Sequence, residues 1–148
     1  MSDYEVWLSG FLQEVTTDVY FFCPPHIAPL IKRLRGQLPL TLNTSFSTPF
    51  DVPPLRGLEK QYEEIHALDP EKELHGPELY AVWNAKAFFL DEGLRNGGAR
   101  LKQAYDYGFW NDAGSLREAR PYRAWPDAGR VADVFAEASL ETGSAERT

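Results

Sequence analysis

The order of hydrophobic and polar positions predicts helices separated by short buried strands. Apolar side chains recur at helical spacing over residues 4–15, and Asp3 precedes them as an N-cap. A continuous β-branched and aromatic run over 19–23 follows, and the two prolines after it end the run. Its length and flanks favour a buried strand. We therefore expect a helix and then a strand at the start of the chain.

The next section repeats this order. Residues 27–34 have the pattern of a short amphipathic helix, with basic residues in the last turns and Gly36 as its C-cap. Alternating apolar positions over 38–46 predict a second strand. Three prolines in the segment 47–57 predict a loop that is stiff for its length. We therefore expect a helix between two strands, the pattern of a parallel pair.

The second half of the chain contains the longest predicted helix. A modest helix is predicted over 58–68, and a more apolar one over about 77–95 begins at a proline and ends at Asn-Gly-Gly. A third strand is predicted over 105–110 and a final helix over 127–140. This alternation predicts an α/β fold with a mostly parallel sheet and flanking helices.

Composition and charge narrow the class of protein. Aromatic residues make up 14% of the 148 residues, which supplies ample ring area for a core. The formal net charge of −7 argues against a nucleic-acid binder that tracks phosphates, because such proteins usually need a basic face. Cys23 is the sole cysteine, so we predict that it packs as a small hydrophobe. The length predicts a single α/β domain over 1–140, followed by a polar tail over 141–148.

The hydropathy pattern contains neither a leader nor a membrane span. Residues 1–5 are polar and acidic, whereas a signal peptide begins basic and continues apolar. A membrane span needs a stretch of about 18–20 apolar residues, and the sequence has none. We therefore predict no membrane segment in this chain, and the pattern leaves its compartment open.

The strongest candidate for chemistry follows the third predicted strand. Asn111 and Asp112 place an amide and a carboxylate at the carboxyl end of that strand, where ligands bind in open α/β sheets. Gly114 lets the backbone approach a ligand closely. A carboxylate there suits a divalent cation that bridges a diphosphate. The alternative is a plain turn, since Asn, Asp and Gly are common turn formers.

Basic residues near this turn are the second candidates. Lys86 lies within an apolar helical stretch, so it either extends along its stem to solvent or meets an anion. Arg117 follows the turn, with Arg120 and Arg123 further on, and these side chains either hold phosphate or are solvated. The three histidines lack metal-ligand spacing, and no hydrolase elbow, dinucleotide-binding or P-loop motif is present.

Four blocks of the sequence resemble one known family. The first three are residues 4–8, the strand 19–23 and the helix 79–86, and the fourth is the strand and turn 109–114. Together they are similar to the HtrL/YibB-like family over most of residues 4–130. The Trp-Asn-Ala-Lys sequence in the helix and the Trp-Asn-Asp-Ala-Gly turn are the most specific parts.

The resemblance implies a GT-A-like glycosyltransferase, a Rossmann-like fold that binds a nucleotide-diphospho-sugar and a hydroxyl acceptor such as a glycan. By this resemblance Asp112 would hold a divalent metal, Mn²⁺ or Mg²⁺, while Asn111 and Gly114 shape the turn. Lys86 and Arg117 would contact the phosphates. The sequence departs from a full Asp-x-Asp motif because Asp112 is the only carboxylate in its turn.

The same comparison predicts a partial domain. Family members open with a strand before the first helix and continue beyond the acidic turn into an acceptor-binding half. We expect an enzyme that lacks both parts to be inactive, since positioning supplies much of the rate. The alternative function is a non-catalytic α/β module that binds a protein partner. Aromatic side chains left exposed would then favour self-association.

Overall fold

A computed structural model describes residues 3–101, 104–117 and 125–143 of the chain. The helices are α1 (Asp3–Glu14), α2 (Ala28–Arg35), α3 (Glu59–Ala67), α4 (Pro77–Asn84), α5 (Lys86–Leu101) and α6 (Ala128–Thr142). Two strands, β1 (Val19–Phe22) and β2 (Leu40–Asn43), pair in a small parallel sheet, and α2 connects them. The described part of the chain is therefore a mixed α/β structure, as predicted.

The predicted elements before residue 70 lie where the hydrophobic pattern placed them. Helix α2 ends as expected at Gly36, whose φ of 61° is the left-handed conformation that favours glycine. The proline-rich segment contains two single-turn 3-10 helices, Pro49–Asp51 and Pro53–Leu55. A capping box fixes the first of these turns, because the Thr48 hydroxyl accepts a hydrogen bond from the Phe50 amide and Asp51 accepts one from the Thr48 amide. This loop is stiff, as predicted.

The predicted third strand is wrong. Residues 104–111 form no strand and pair with neither β1 nor β2, so the sheet in the described residues has two strands and a larger Rossmann-like sheet is not confirmed. The segment packs against α5 instead. A Cβ on Gly108 would lie 2.8 Å from Leu94 Cδ2, and the Trp110 ring stacks on Phe89 at 5.6 Å between centroids. Helix α5 thus covers one side of this segment, whereas Tyr107 and Phe109 remain 38% and 45% exposed.

The long helix predicted over 77–95 is two helices. Ala85 separates α4 from α5, and its amide donates to the carbonyls of both Ala81 and Val82, at 3.0 and 3.2 Å. The predicted stop at Asn-Gly-Gly is also wrong, since α5 continues to Leu101. Gly97 serves close packing there, because a Cβ would lie 3.2 Å from a ring carbon of Tyr105.

Contacts divide the chain into two compact units. The first unit contains residues 1–19, 33–39 and 112–148, and the second contains 20–32 and 40–111. No helix in the described residues is long and apolar enough to cross a membrane. The part of the predicted tail beyond Gly143, residues 144–148, lies outside the described residues.

One buried arginine organises the first unit. Arg35 is 2% exposed and donates hydrogen bonds of 2.5–3.0 Å to the carbonyls of Leu12, Val15, Thr17 and Pro39. Burial lowers the pKa of its guanidinium, and the charge of Asp18 partly opposes that change. The side chain thus satisfies carbonyls at and beyond the C-terminus of α1, which have no partner within the helix.

Aromatic rings and small residues form the core of the second unit. Its buried members are Phe50, Val52, Leu55, Tyr62, Ala81, Ala85 and Phe89, and Phe22, Phe46, Phe88 and Trp110 pack against them. Phe89 contacts Phe22 at 4.7 Å and Trp110 at 5.6 Å between ring centroids. The two alanines let the α4–α5 junction lie close to these rings.

Candidate functional site

The acidic turn belongs to the first unit from Asp112 onward. The Ser115 amide donates to the Asp112 carbonyl at 3.0 Å, which closes a turn and leaves Asp112 exposed. The Arg117 guanidinium lies 4.5 Å from the centroid of the Trp7 ring, and its Nε donates to the Gly114 carbonyl at 3.2 Å. Arg117 therefore stabilises the turn, and its stacking on Trp7 orients the guanidinium.

Lys86 and Asn111 belong to the second unit. The Lys86 ammonium lies 5.8 Å from the centroid of Trp110, the residue directly before Asn111, and both polar residues are half-buried. A cation over an indole ring is stabilised by the ring quadrupole. Lys86 therefore does not simply extend into solvent along an apolar helix. It is held at the segment that leads into the acidic turn.

This contact joins one residue from each of the two most specific blocks of the family resemblance. Lys86 closes the Trp-Asn-Ala-Lys sequence, and Trp110 opens the Trp-Asn-Asp-Ala-Gly turn. Lys86 and Trp110 are 24 positions apart in the chain. The Phe89 ring on α5 also stacks on Trp110, so both contacts hold Trp110 against α5. Arg120 and Arg123 lie outside the described residues.

The side chains around the acidic turn determine which type of metal coordination is possible there. Among the described residues, no three His, Cys, Asp or Glu side chains are grouped closely enough to enclose a metal. Mg²⁺ at nucleotide sites, however, is commonly held by one or two carboxylates together with substrate phosphates and water. The exposed carboxylate of Asp112 fits that type of coordination. Cys23 is buried, and burial raises the pKa of its thiol.

The sequence analysis missed a polar and aromatic cluster between α3 and α4. The Tyr80 phenol donates a hydrogen bond to Asp69, whose second oxygen accepts one from the Glu71 amide at 2.6 Å. His66 Nε2 faces two carbonyl oxygens, of Lys72 at 3.0 Å and of His75 at 2.7 Å, so this nitrogen carries the proton. The loop 68–76 is thereby bound at both ends.

Tyr80 and Asp69 shift each other's pKa in opposite directions. The hydrogen bond from Tyr80, and then the bond from the Glu71 amide, lower the pKa of Asp69. Burial and the bond to Asp69 raise the pKa of Tyr80 to about 12. In the sequence, the only sign of this cluster was the turn-forming Asp69-Pro70 pair between two histidines. Hydrophobic periodicity does not detect a cluster of polar side chains in a loop.

Comparison with known proteins finds no relative of this chain. The chain matches no family model, no curated protein sequence and no solved structure. The HtrL/YibB-like resemblance therefore stays a prediction, and the chemistry of this chain is argued from its own residues.

Proposed function

We propose that this chain is a glycosyltransferase-related domain of Rossmann-like, GT-A-like type that binds a nucleotide-diphospho-sugar. The observation that carries the proposal is the contact between Lys86 and Trp110. It joins one residue from each of the two blocks in which the sequence resemblance is most specific, and it holds a cation next to Trp110, which stands two positions before Asp112 in the sequence. The parallel β1–α2–β2 unit supports the same fold class.

Each proposed contact follows from the chemistry of its side chain. The Lys86 ammonium and the Arg117 guanidinium suit the charges of a diphosphate, and Arg117 is already oriented by Trp7. Asp112 would hold Mn²⁺ or Mg²⁺, which would neutralise charge on the diphosphate as it leaves. Asn111 and Gly114 shape the turn. In the reaction, the sugar would pass to a hydroxyl group of an acceptor such as a glycan.

A thermal-shift titration with UDP and with GDP, each with and without Mn²⁺, tests the proposal. A ligand present at about 100-fold its Kd stabilises the folded state by roughly 2.7 kcal/mol, which raises Tm by several degrees. We expect such a shift only when Mn²⁺ accompanies the nucleotide. A folded protein without any shift would refute nucleotide binding.

Two variants then test the residues. Asp112→Asn keeps the shape of the side chain and removes its charge, so we expect it to abolish the Mn²⁺-dependent part of the shift. Asp106→Asn, at another exposed aspartate, is its control. Lys86→Met should weaken nucleotide binding about tenfold or more, and Lys32→Met on α2 is its control. Unchanged binding in either variant would remove that residue from the site.

Helix α6 favours a second function, a non-catalytic interaction module. None of its residues is buried, and Val134, Phe135 and Leu140 are 45%, 46% and 85% exposed. Exposed apolar groups of this kind promote association. Sedimentation at increasing protein concentration tests self-association, and a constant monomer mass would exclude it. Nucleotide binding without self-association would favour the glycosyltransferase-related function.

A further inference from the structure

A second surface of the molecule is both apolar and acidic. We name it the hairpin surface, and it consists of α3, the loop 68–76 and α4. Within residues 65–83, all of which the structure describes, five large apolar side chains are 39–85% exposed: Ile65, Leu68, Leu74, Leu79 and Trp83. Contiguous exposed apolar patches on soluble proteins often mark interaction sites.

The exposed side chains belong to the same helix–loop–helix segment as the polar and aromatic cluster already described. Helical spacing places Leu79 and Trp83 on one face of α4. The Trp83 ring contacts Tyr80 at 5.6 Å and His75 at 5.7 Å between centroids. The other three exposed residues adjoin members of this cluster in the chain, Ile65 next to His66, Leu68 next to Asp69 and Leu74 next to His75. Leu79 and Trp83 therefore form an exposed apolar stripe on α4, and the other three exposed side chains lie on the same helix–loop–helix segment.

The hairpin surface is held in shape before any partner arrives. His66 binds the loop through two carbonyls, and the Tyr80–Asp69 hydrogen bond joins the loop to α4. Asn84 Nδ2 also donates to the Tyr62 hydroxyl at 2.7 Å, which joins α3 to α4. A rigid surface loses little conformational entropy on binding.

The charge of the hairpin surface identifies the partner. Residues 59–83 contain seven acidic and two basic side chains, so they carry five of the seven net negative charges of the chain. Most of these acidic groups are exposed. A second copy of this chain would bring like charges together, which disfavours a symmetric dimer here. A basic partner would gain both charge complementarity and apolar burial.

We propose that the hairpin surface docks a basic amphipathic helix of a partner protein. The apolar stripe of that helix would cover Leu79 and Trp83, and its lysines or arginines would face the glutamates that border them. Helices recognised in this way present apolar anchors at i, i+3, i+4 and i+7. Trp83 is the central anchor, because buried tryptophans contribute much of the binding energy at interfaces. This docking does not depend on nucleotide binding.

The probe for the test is a designed peptide of about 18 residues with leucines along one helical face and lysines elsewhere. Its binding to the full chain is measured by calorimetry at roughly 0.15 M salt, where weak surface attraction is screened. We expect one saturable site with a Kd on the order of 10 µM. A peptide with glutamates in place of the lysines, and a scrambled peptide of the same composition, should bind at least about tenfold more weakly.

Matched variants locate the site. Trp83→Ser should weaken binding of the lysine peptide about tenfold or more. Val6→Ser on α1 removes an apolar side chain of similar exposure, 53% against 45%, and should change the affinity less than about twofold. The proposal is overturned if the scrambled peptide binds equally well, if Val6→Ser weakens binding as much as Trp83→Ser, or if Trp83→Ser abolishes self-association of the chain.

Discussion

The two units of this protein are stabilised by different chemistry. In the first unit, one guanidinium satisfies three backbone carbonyls around the end of α1 and the carbonyl of Pro39. In the second unit, aromatic rings pack on one another and on two alanines. Hydrogen bonds of a buried group depend on direction and distance, whereas contacts among rings depend mainly on filled volume. The first unit should therefore tolerate substitution at its centre less well than the second.

The largest expected effect is at Arg35. Arg35→Met keeps much of the side-chain volume but leaves the carbonyls of Leu12, Val15 and Thr17 without their donor. We expect a loss of about 4 kcal/mol in the free energy of unfolding, measured in urea. Arg35→Lys should recover less than about half of that loss, because an ammonium cannot reproduce the planar fork.

The control for this position is Arg33→Met, at an exposed residue of the same helix turn. It should change stability by less than about 0.5 kcal/mol. Equal effects of the two methionine variants would show that the hydrogen bonds of Arg35 do not stabilise the first unit.

The second prediction concerns the ring at the centre of the second unit. Phe89→Ala should cost about 3 kcal/mol in the free energy of unfolding, because Phe22 and Trp110 both lose a contact and a cavity remains. Phe89→Leu should cost only about 1 kcal/mol, since neighbouring rings can repack around a side chain of similar volume. If Phe89→Leu cost as much as Phe89→Ala, the contrast between the units would be wrong.

The third prediction tests the polar cluster of the second unit through pH. Because Tyr80 lowers the pKa of Asp69, their bond stabilises the folded state above the ordinary aspartate pKa of about 3.9 and is lost as the pH falls through the lowered value. At the alkaline end, the contribution of Tyr80 is lost as the pH rises towards its pKa of about 12.

Tyr80→Phe should therefore be less stable than the original chain near neutral pH, and the difference should shrink in acid. Urea midpoints measured over a series of pH values give this difference. Tyr4→Phe, at a tyrosine that is 55% exposed, should show no such pH dependence. A gap between Tyr80→Phe and the original chain that stays constant from neutral to acidic pH would contradict the assignment.

The smallest expected effect is at the cap of α6. Asp127 accepts a hydrogen bond from the Arg130 amide at 2.7 Å, so Asp127→Ala should destabilise the helix by about 1 kcal/mol. Because no residue of α6 is buried, we expect faster amide exchange within α6 and little change in the global urea midpoint. A large global change would show that α6 contributes to the stability of the first unit as much as Arg35 does.

The parts of the fold that could be predicted are those that local pattern specifies. The periodicity of α1, α3 and α6, the left-handed Gly36 and the stiff proline loop were all read from neighbouring residues. The strand predicted over 105–110 failed because a short apolar run is equally compatible with packing against a helix, and here α5 covers only the side that carries Gly108 and Trp110. The glycines of α5 were interpreted as a stop, although Gly97 serves close packing instead.

The candidate site was predicted only in part. The residue types indicated that Lys86 suits an anion and that Asp112 suits a cation. No rule of sequence spacing, however, predicts the contact between Lys86 and Trp110. The sequence predicted Arg35 only as one of several cations near the end of α2. Its burial and its hydrogen bonds to backbone carbonyls are seen only in the structure. The cluster of Asp69, His66 and Tyr80 depends on how a loop returns to a helix, which sequence periodicity does not record.

The sequence by itself determined the α/β order of the elements before residue 70, the acidic charge concentrated between residues 59 and 83, and the chemical groups available near Asp112. These depend on composition and on contacts between near neighbours. Only the tertiary structure decided that the sheet of the described residues has two strands, that Lys86 lies over Trp110 and that Arg35 is buried. Each of these joins residues distant in the chain, and such contacts are selected by competition for buried volume and for hydrogen-bond partners rather than by local preference.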